Sequence, residues 1–192
     1  QMAGIYGVME FATAVKASFL QYLLAAPDVE AAMYLDPDIV VSAPLTEAFD
    51  AAAACGVALT PHVLQPFPRD TLEPDESVLR HAGIFNLENM YGATEEIWVP
   101  ALFAPAVLRD PGYNVAYWNL HERPLSREGG EVRAGGSPLK FFHFSGYDPD
   151  RPWMLSKHAG LHARVRLADH PLIAELCDSY GDLLVQHGWH QR

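Results

Sequence analysis

Only two cysteines, Cys55 and Cys177, occur in 192 residues. That is too few for a disulfide framework, and a reducing compartment is the expectation. No run of about 18 apolar residues is present, so the sequence offers no membrane-spanning helix. The start, Gln1-Met2-Ala3-Gly4, has neither the basic stretch nor the apolar stretch of a secretory signal. Positive charge is scarce: 13 Lys and Arg stand against 24 Asp and Glu, a formal net charge of −11. A nucleic-acid binder needs a basic face to displace phosphate counterions, and a polybasic membrane anchor needs a cluster of such residues; neither is expected. Repeats and low-complexity segments are also missing. A soluble, acidic, cytoplasmic protein with no nucleic-acid partner and no membrane span is the expectation.

What is present suits a folded domain. Hydrophobic residues make up 49% of the chain and charged ones 19%, which supports a sizeable core. The chain length fits one domain over residues 1–192. Val8, Phe11, Val15, Phe19 and Tyr22 recur at steps of three and four, predicting a first helix that Pro27 and Asp28 end. Residues 31–41 read as a buried strand broken near its end by an acidic step. Residues 45–54 predict a short helix and 56–59 a second strand. Prolines at 61, 66, 68 and 74 make 61–75 a loop, because proline lacks an N–H and has a fixed φ. Residues 83–87 predict a short strand, and 99–108 are either helical or extended. Residues 123–138 read as a glycine- and proline-rich loop, 139–144 as an aromatic strand, and 170–188 as a helix. Pro171 would start that last helix, and Leu172, Leu176, Tyr180 and Leu183 or Leu184 would form its apolar stripe. Alternating strands and helices predict an α/β layered architecture.

Two stretches carry candidate chemistry. The first is Tyr34-Leu35-Asp36-Pro37-Asp38-Ile39-Val40-Val41. Two carboxylates this close at an apolar strand end raise each other's pKa, and a divalent cation offsets the charge. On a strand, residues i and i+2 face one side, so both could reach one Mg²⁺ or Mn²⁺. The plain alternative is a turn at Asp-Pro-Asp. The second stretch is Phe141-Phe142-His143-Phe144-Ser145-Gly146, followed by Arg151-Pro152-Trp153. A histidine among phenylalanines is by itself more often a hydrogen-bonded core residue than a ligand. Gly146 permits close backbone approach, and Arg151 suits a charge-assisted contact to phosphate.

Together these motifs resemble the metal-dependent retaining glycosyltransferases of family 8 type. That family combines a Tyr-Leu-Asp-x-Asp strand end with a late His-x-x-Gly and Lys-Pro-Trp segment. The stretches Arg109 to His121 and Pro138 to Gly146 are also similar to a group of bacterial glycosyltransferases. The resemblance covers most of residues 5–190. It implies a GT-A (Rossmann-like) fold, a mixed sheet flanked by helices, that binds a nucleotide-diphosphate sugar, with a UDP-sugar favoured. By this likeness Asp36, Asp38 and His143 would hold Mn²⁺ or Mg²⁺ on the diphosphate. Arg151 would stand, two residues further along, where the family has lysine. Lys16, Asn86, Asn114 and Gly146 would complete the nucleotide-sugar site. The acceptor is left open, and no residue is implied as a nucleophile. The family's first strand would precede residue 1, and an Asp-Gln segment is missing between Asn86 and Trp98. Either the sequence joins pieces of a longer chain or the protein is truly shortened, and the first is the expectation.

Two other readings fit the same residues. One is a non-catalytic sugar-binding or scaffold module that keeps the fold. The other is a Mg²⁺-dependent phosphatase with Asp36 as nucleophile and Asp38 as acid. The remaining candidates have plainer readings. His158 and His162 have the i, i+4 spacing of a helical metal pair, without a third ligand nearby. His62 suits a loop or a pocket wall. Trp118 and Trp153 suit the core or a sugar-stacking platform. Both cysteines read as structural.

Overall fold

A computed structural model describes residues 8–75 and 105–191. The predicted strand at 83–87, Asn86, and the part of 99–108 before residue 105 lie outside the described residues. The chain forms two compact units, Gln1–Pro37 and Asp38–Arg192. The boundary falls inside Asp36-Pro37-Asp38. Helices and several small sheets make the described protein mixed α/β. None of its described helices is long and apolar enough to cross a membrane.

The first unit is built on helix α1, Val8–Leu24. The helix closes with the Ala25 N–H donating to the Gln21 carbonyl, and Pro27 follows, as the sequence predicts. Phe19 and Tyr22 are exposed. Residues 31–36 are irregular, and Pro37 and Asp38 form a turn. The strand predicted over 31–41 is thus cut to β1, Ile39–Val41. It pairs only as far as its partner runs. Side-chain alternation along a strand therefore does not govern Asp36 and Asp38.

In the second unit, α2 (Thr46–Cys55) runs into β2 (Ala58–Leu59), as expected. β2 pairs parallel with β3 (Ala106–Val107). The main sheet contains β1, β4 (Val115–Ala116) and β8 (Phe141–His143), with β8 in the middle. β1 runs antiparallel and β4 parallel to β8, with Ile39 opposite His143 and Ala116 opposite His143.

Residues 123–138 are not a loop. They form an antiparallel meander of β5 (Leu125–Glu128), β6 (Glu131–Ala134) and β7 (Ser137–Pro138). The glycines that suggested a loop are its two turns. Gly129 and Gly130 have φ of 57° and 87°, and Gly135 and Gly136 have 55° and 88°. Two successive positive φ values of this size define the type I′ turn, whose twist matches that of paired strands.

Helix α3 spans Pro171–Gln186, with proline in its first turn. Its buried face is Ile173, Cys177, Tyr180 and Gly181, with Leu184 partly buried. Of the predicted stripe, Tyr180 is buried and Leu176 and Leu184 pack against the core, whereas Leu183 is exposed. Tyr180 stacks on Phe144 at 4.2 Å, which fixes the helix to the residue after β8. Burying a side chain the size of Ile173 contributes about 1.5–3 kcal/mol. Cys177 is fully buried in the core, and burial pushes its thiol up to about 12. Cys55, in contrast to its expected structural role, is exposed at the end of α2.

Candidate functional site

The functional geometry follows from strand direction. β4 and β8 are parallel, so their carboxyl ends lie side by side, and the antiparallel β1 begins at that same end. Asp38 precedes β1, His143 closes β8, and Tyr117-Trp118 leave β4. In open α/β sheets the carboxyl ends of parallel strands are where ligands bind.

Asp38 and His143, 105 positions apart in sequence, meet here. Nε2 of His143 lies 3.0 Å from Oδ1 of Asp38, with side chains 13% and 34% exposed. The Phe144 N–H donates to the Asp38 carbonyl at 2.8 Å, which ties the two backbones together. Trp118 meets the His143 ring edge-on at 5.1 Å and stacks on His62 at 5.2 Å. Trp118 is therefore a buried wall of the site, whereas Trp153 is exposed.

The loop carrying His62 is held by side chains from just after β4. The His62 carbonyl accepts from Trp118 Nε1 at 3.1 Å and from Asn119 Nδ2 at 2.7 Å. Glu122 accepts the Leu64 N–H at 2.8 Å and the Gln65 N–H at 2.6 Å. Arg123, 1% exposed, donates to the carbonyls of Tyr113, Asn114 and Pro61 and lies 3.3 Å from Glu122. Burial pulls its pKa down, but a guanidinium stays charged. Sequence reasoning missed this clamp. Its signal is Asn119, Glu122 and Arg123 following an apolar strand at once, where a buried charge needs a partner. A second missed group is Glu47, which accepts from Lys140 Nζ at 2.7 Å and from the Tyr113 hydroxyl at 3.0 Å. The Lys140 hydrogen bond chiefly lowers the Glu47 carboxyl to about 2. Burial, then Glu47, pushes Tyr113 up to about 12.

The other predicted site residues fall as follows. Asn114 is 7% exposed with φ of 52°, and its side-chain amide donates to the Pro61 carbonyl at 3.5 Å. Gly146 has φ of 72°. Arg151 is exposed, with Nε 3.9 Å from Asp148. In the first unit, Lys16 Nζ lies 2.9 Å from Asp36 and 4.4 Å from the centre of the Tyr34 ring. Burial opposes the Lys16 charge, yet Asp36 holds its pKa above the ordinary value. Residues 158–162 are not helical, so His158 and His162 do not form the helical pair their spacing suggests.

Among the described residues, no group of three or more His, Cys, Asp or Glu side chains is gathered to hold an ion. Asp38 and His143 supply two donors. Ligands at right angles on an ion with metal–oxygen distances of about 2.1 Å stand about 3.0 Å apart, and Mg²⁺ sites commonly use one or two protein ligands plus substrate phosphates. The Asp38 carboxylate and the His143 imidazole are in direct contact at 3.0 Å, a separation that two neighbouring ligands of one ion would also have.

No protein-family model matches the chain, and no solved structure matches it. It is similar to the uncharacterized protein YfnF of Bacillus subtilis (strain 168). The two are 24% identical over 212 residues, covering 93% of this chain and 69% of that protein. The aligned span exceeds the 192 residues of the chain, so the relative carries insertions within it.

Proposed function

We propose that this chain is a glycosyltransferase of GT-A type that moves a sugar from a nucleotide-diphosphate donor, a UDP-sugar by preference, with Mn²⁺ or Mg²⁺. One observation carries the reading: Asp38 and His143, from separate motifs, meet at 3.0 Å where two parallel strands end. These two side chains would hold the divalent cation. The bound ion would supply positive charge opposite the diphosphate as it departs. Trp118 excludes water from one side of His143 and keeps the imidazole in place. The clamp of Asn119, Glu122 and Arg123 prevents the His62 loop from shifting when a ligand enters. Arg151, exposed on the following loop, is available as a cation for phosphate oxygens. The reading rests on the second unit alone, since Lys16 and Asp36 pair within the first.

The test is nucleotide release from a panel of UDP-, GDP- and ADP-sugars with Mn²⁺. We expect slow metal-dependent release from at least one donor, abolished by EDTA. No turnover of any donor, with Mn²⁺ or with Mg²⁺ in its place, would contradict the reading.

A further inference from the structure

His158 stands outside the motifs that suggested the site, yet the fold brings it to the same strand ends. The Lys157 N–H donates to the Gly146 carbonyl at 2.9 Å, so residues 156–158 fold back over the exit of β8. The His158 N–H donates to Ser156 Oγ at 3.1 Å, which sets the local turn. A Cβ on Gly146 would lie 2.5 Å from Cδ2 and 3.0 Å from Nε2 of His158, and 2.7 Å from Ser156 Oγ. The glycine therefore lets this ring edge lie against the backbone three residues beyond His143. The centre of the ring lies 6.4 Å from that of Tyr117, the first residue after β4. His158 thus sits across the carboxyl ends of both parallel strands while remaining exposed. The local sequence supplies positive charge, while the Glu73 carboxylate packs against Gly160 and accepts the His162 N–H at 3.2 Å. No acidic residue occurs between Asp150 and Asp169, a stretch holding Arg151 and Lys157, in a chain of net charge −11.

We propose that His158 is a further binding residue of this site, donating a hydrogen bond to the phosphate oxygens of a nucleoside diphosphate. This rests on the transferase reading. The experiment is calorimetric titration with UDP in Mn²⁺ of the wild type, His158→Ala and His158→Gln. Binding of Mn²⁺ alone and melting temperature are measured on each. Loss of a hydrogen bond to a charged group predicts UDP binding about tenfold weaker in His158→Ala. Part of this should return in His158→Gln, which keeps an N–H donor, while Mn²⁺ binding and melting temperature stay unchanged. If the wild type binds UDP and both variants bind it within twofold, the role of His158 is overturned and the transferase reading stands. A parallel loss of Mn²⁺ binding would also overturn it, since His158 would then act on the metal or the fold. If the wild type binds neither UDP nor GDP or ADP titrated in its place, the transferase reading fails and takes this one with it.

Discussion

Replacing Arg123 by alanine tests whether the buried clamp sets the shape of the site. The guanidinium is 1% exposed, and its neighbour Glu122 has a side chain 7% exposed. Truncation removes the hydrogen bonds to the Tyr113, Asn114 and Pro61 carbonyls and leaves the Glu122 carboxylate buried without its cation. Removing one partner of a buried pair costs about 3–5 kcal/mol. For a unit of this size each kcal/mol lowers the melting temperature by about 2–4 °C, so a fall of about 6–20 °C is expected. Urea unfolding, followed by tryptophan fluorescence and by circular dichroism, measures the free energy. Adding Glu122→Gln should recover part of the loss, because it removes the stranded charge. A change below about 1 kcal/mol in Arg123→Ala would refute the reasoning, since a surface ion pair contributes no more.

Further outcomes follow from single groups. Lowering of Glu47 to about 2, against an ordinary value of 4.5, means its contribution is present above pH 4.5 and lost as pH falls towards 2. Glu47→Gln should therefore flatten the pH dependence of stability in that window alone, as read by urea midpoints. In the first hairpin, Val at Gly130, where φ is 87°, should cost about 1–2 kcal/mol. Asn at Gly129, where φ is 57°, should be close to neutral in the same unfolding assay. Alkylation with iodoacetamide at pH 8 should label Cys55 in the native protein, and Cys177 only in denaturant, because burial holds its thiol near 12. Mass spectrometry counts the labels.

Elements with strong local signals were legible. Proline at 171 and the apolar spacing pointed to α3, and residues 45–54 read as the helix that is α2. In the stripe of α3, Tyr180, Leu176 and Leu184 were legible, whereas Cys177 and Gly181, both buried, carry little hydrophobic weight when read from sequence. The meander at 125–138 was hidden because paired glycines mark loops and type I′ turns alike, and only a register such as Arg127 opposite Val132 tells them apart. The strand over 31–41 was overcalled, since strand length depends on a partner that supplies only Phe141, Phe142 and His143. Asp38 and His143 were placed on one ion only by the family resemblance, and their meeting depends on a pairing 105 residues apart. The Asn119, Glu122 and Arg123 run hinted at the clamp, but not at its targets, because Arg123 donates to backbone carbonyls, which carry no residue identity.

The central claim is that Asp38 and His143 form one metal–diphosphate site. It is tested most directly by titrating UDP into the wild type, Asp38→Ala and His143→Ala, with and without Mn²⁺, after circular dichroism has shown all three folded. The account predicts Mn²⁺-dependent binding in the wild type that is lost in both variants. Binding that is indifferent to Mn²⁺, or retained in either variant, would contradict it.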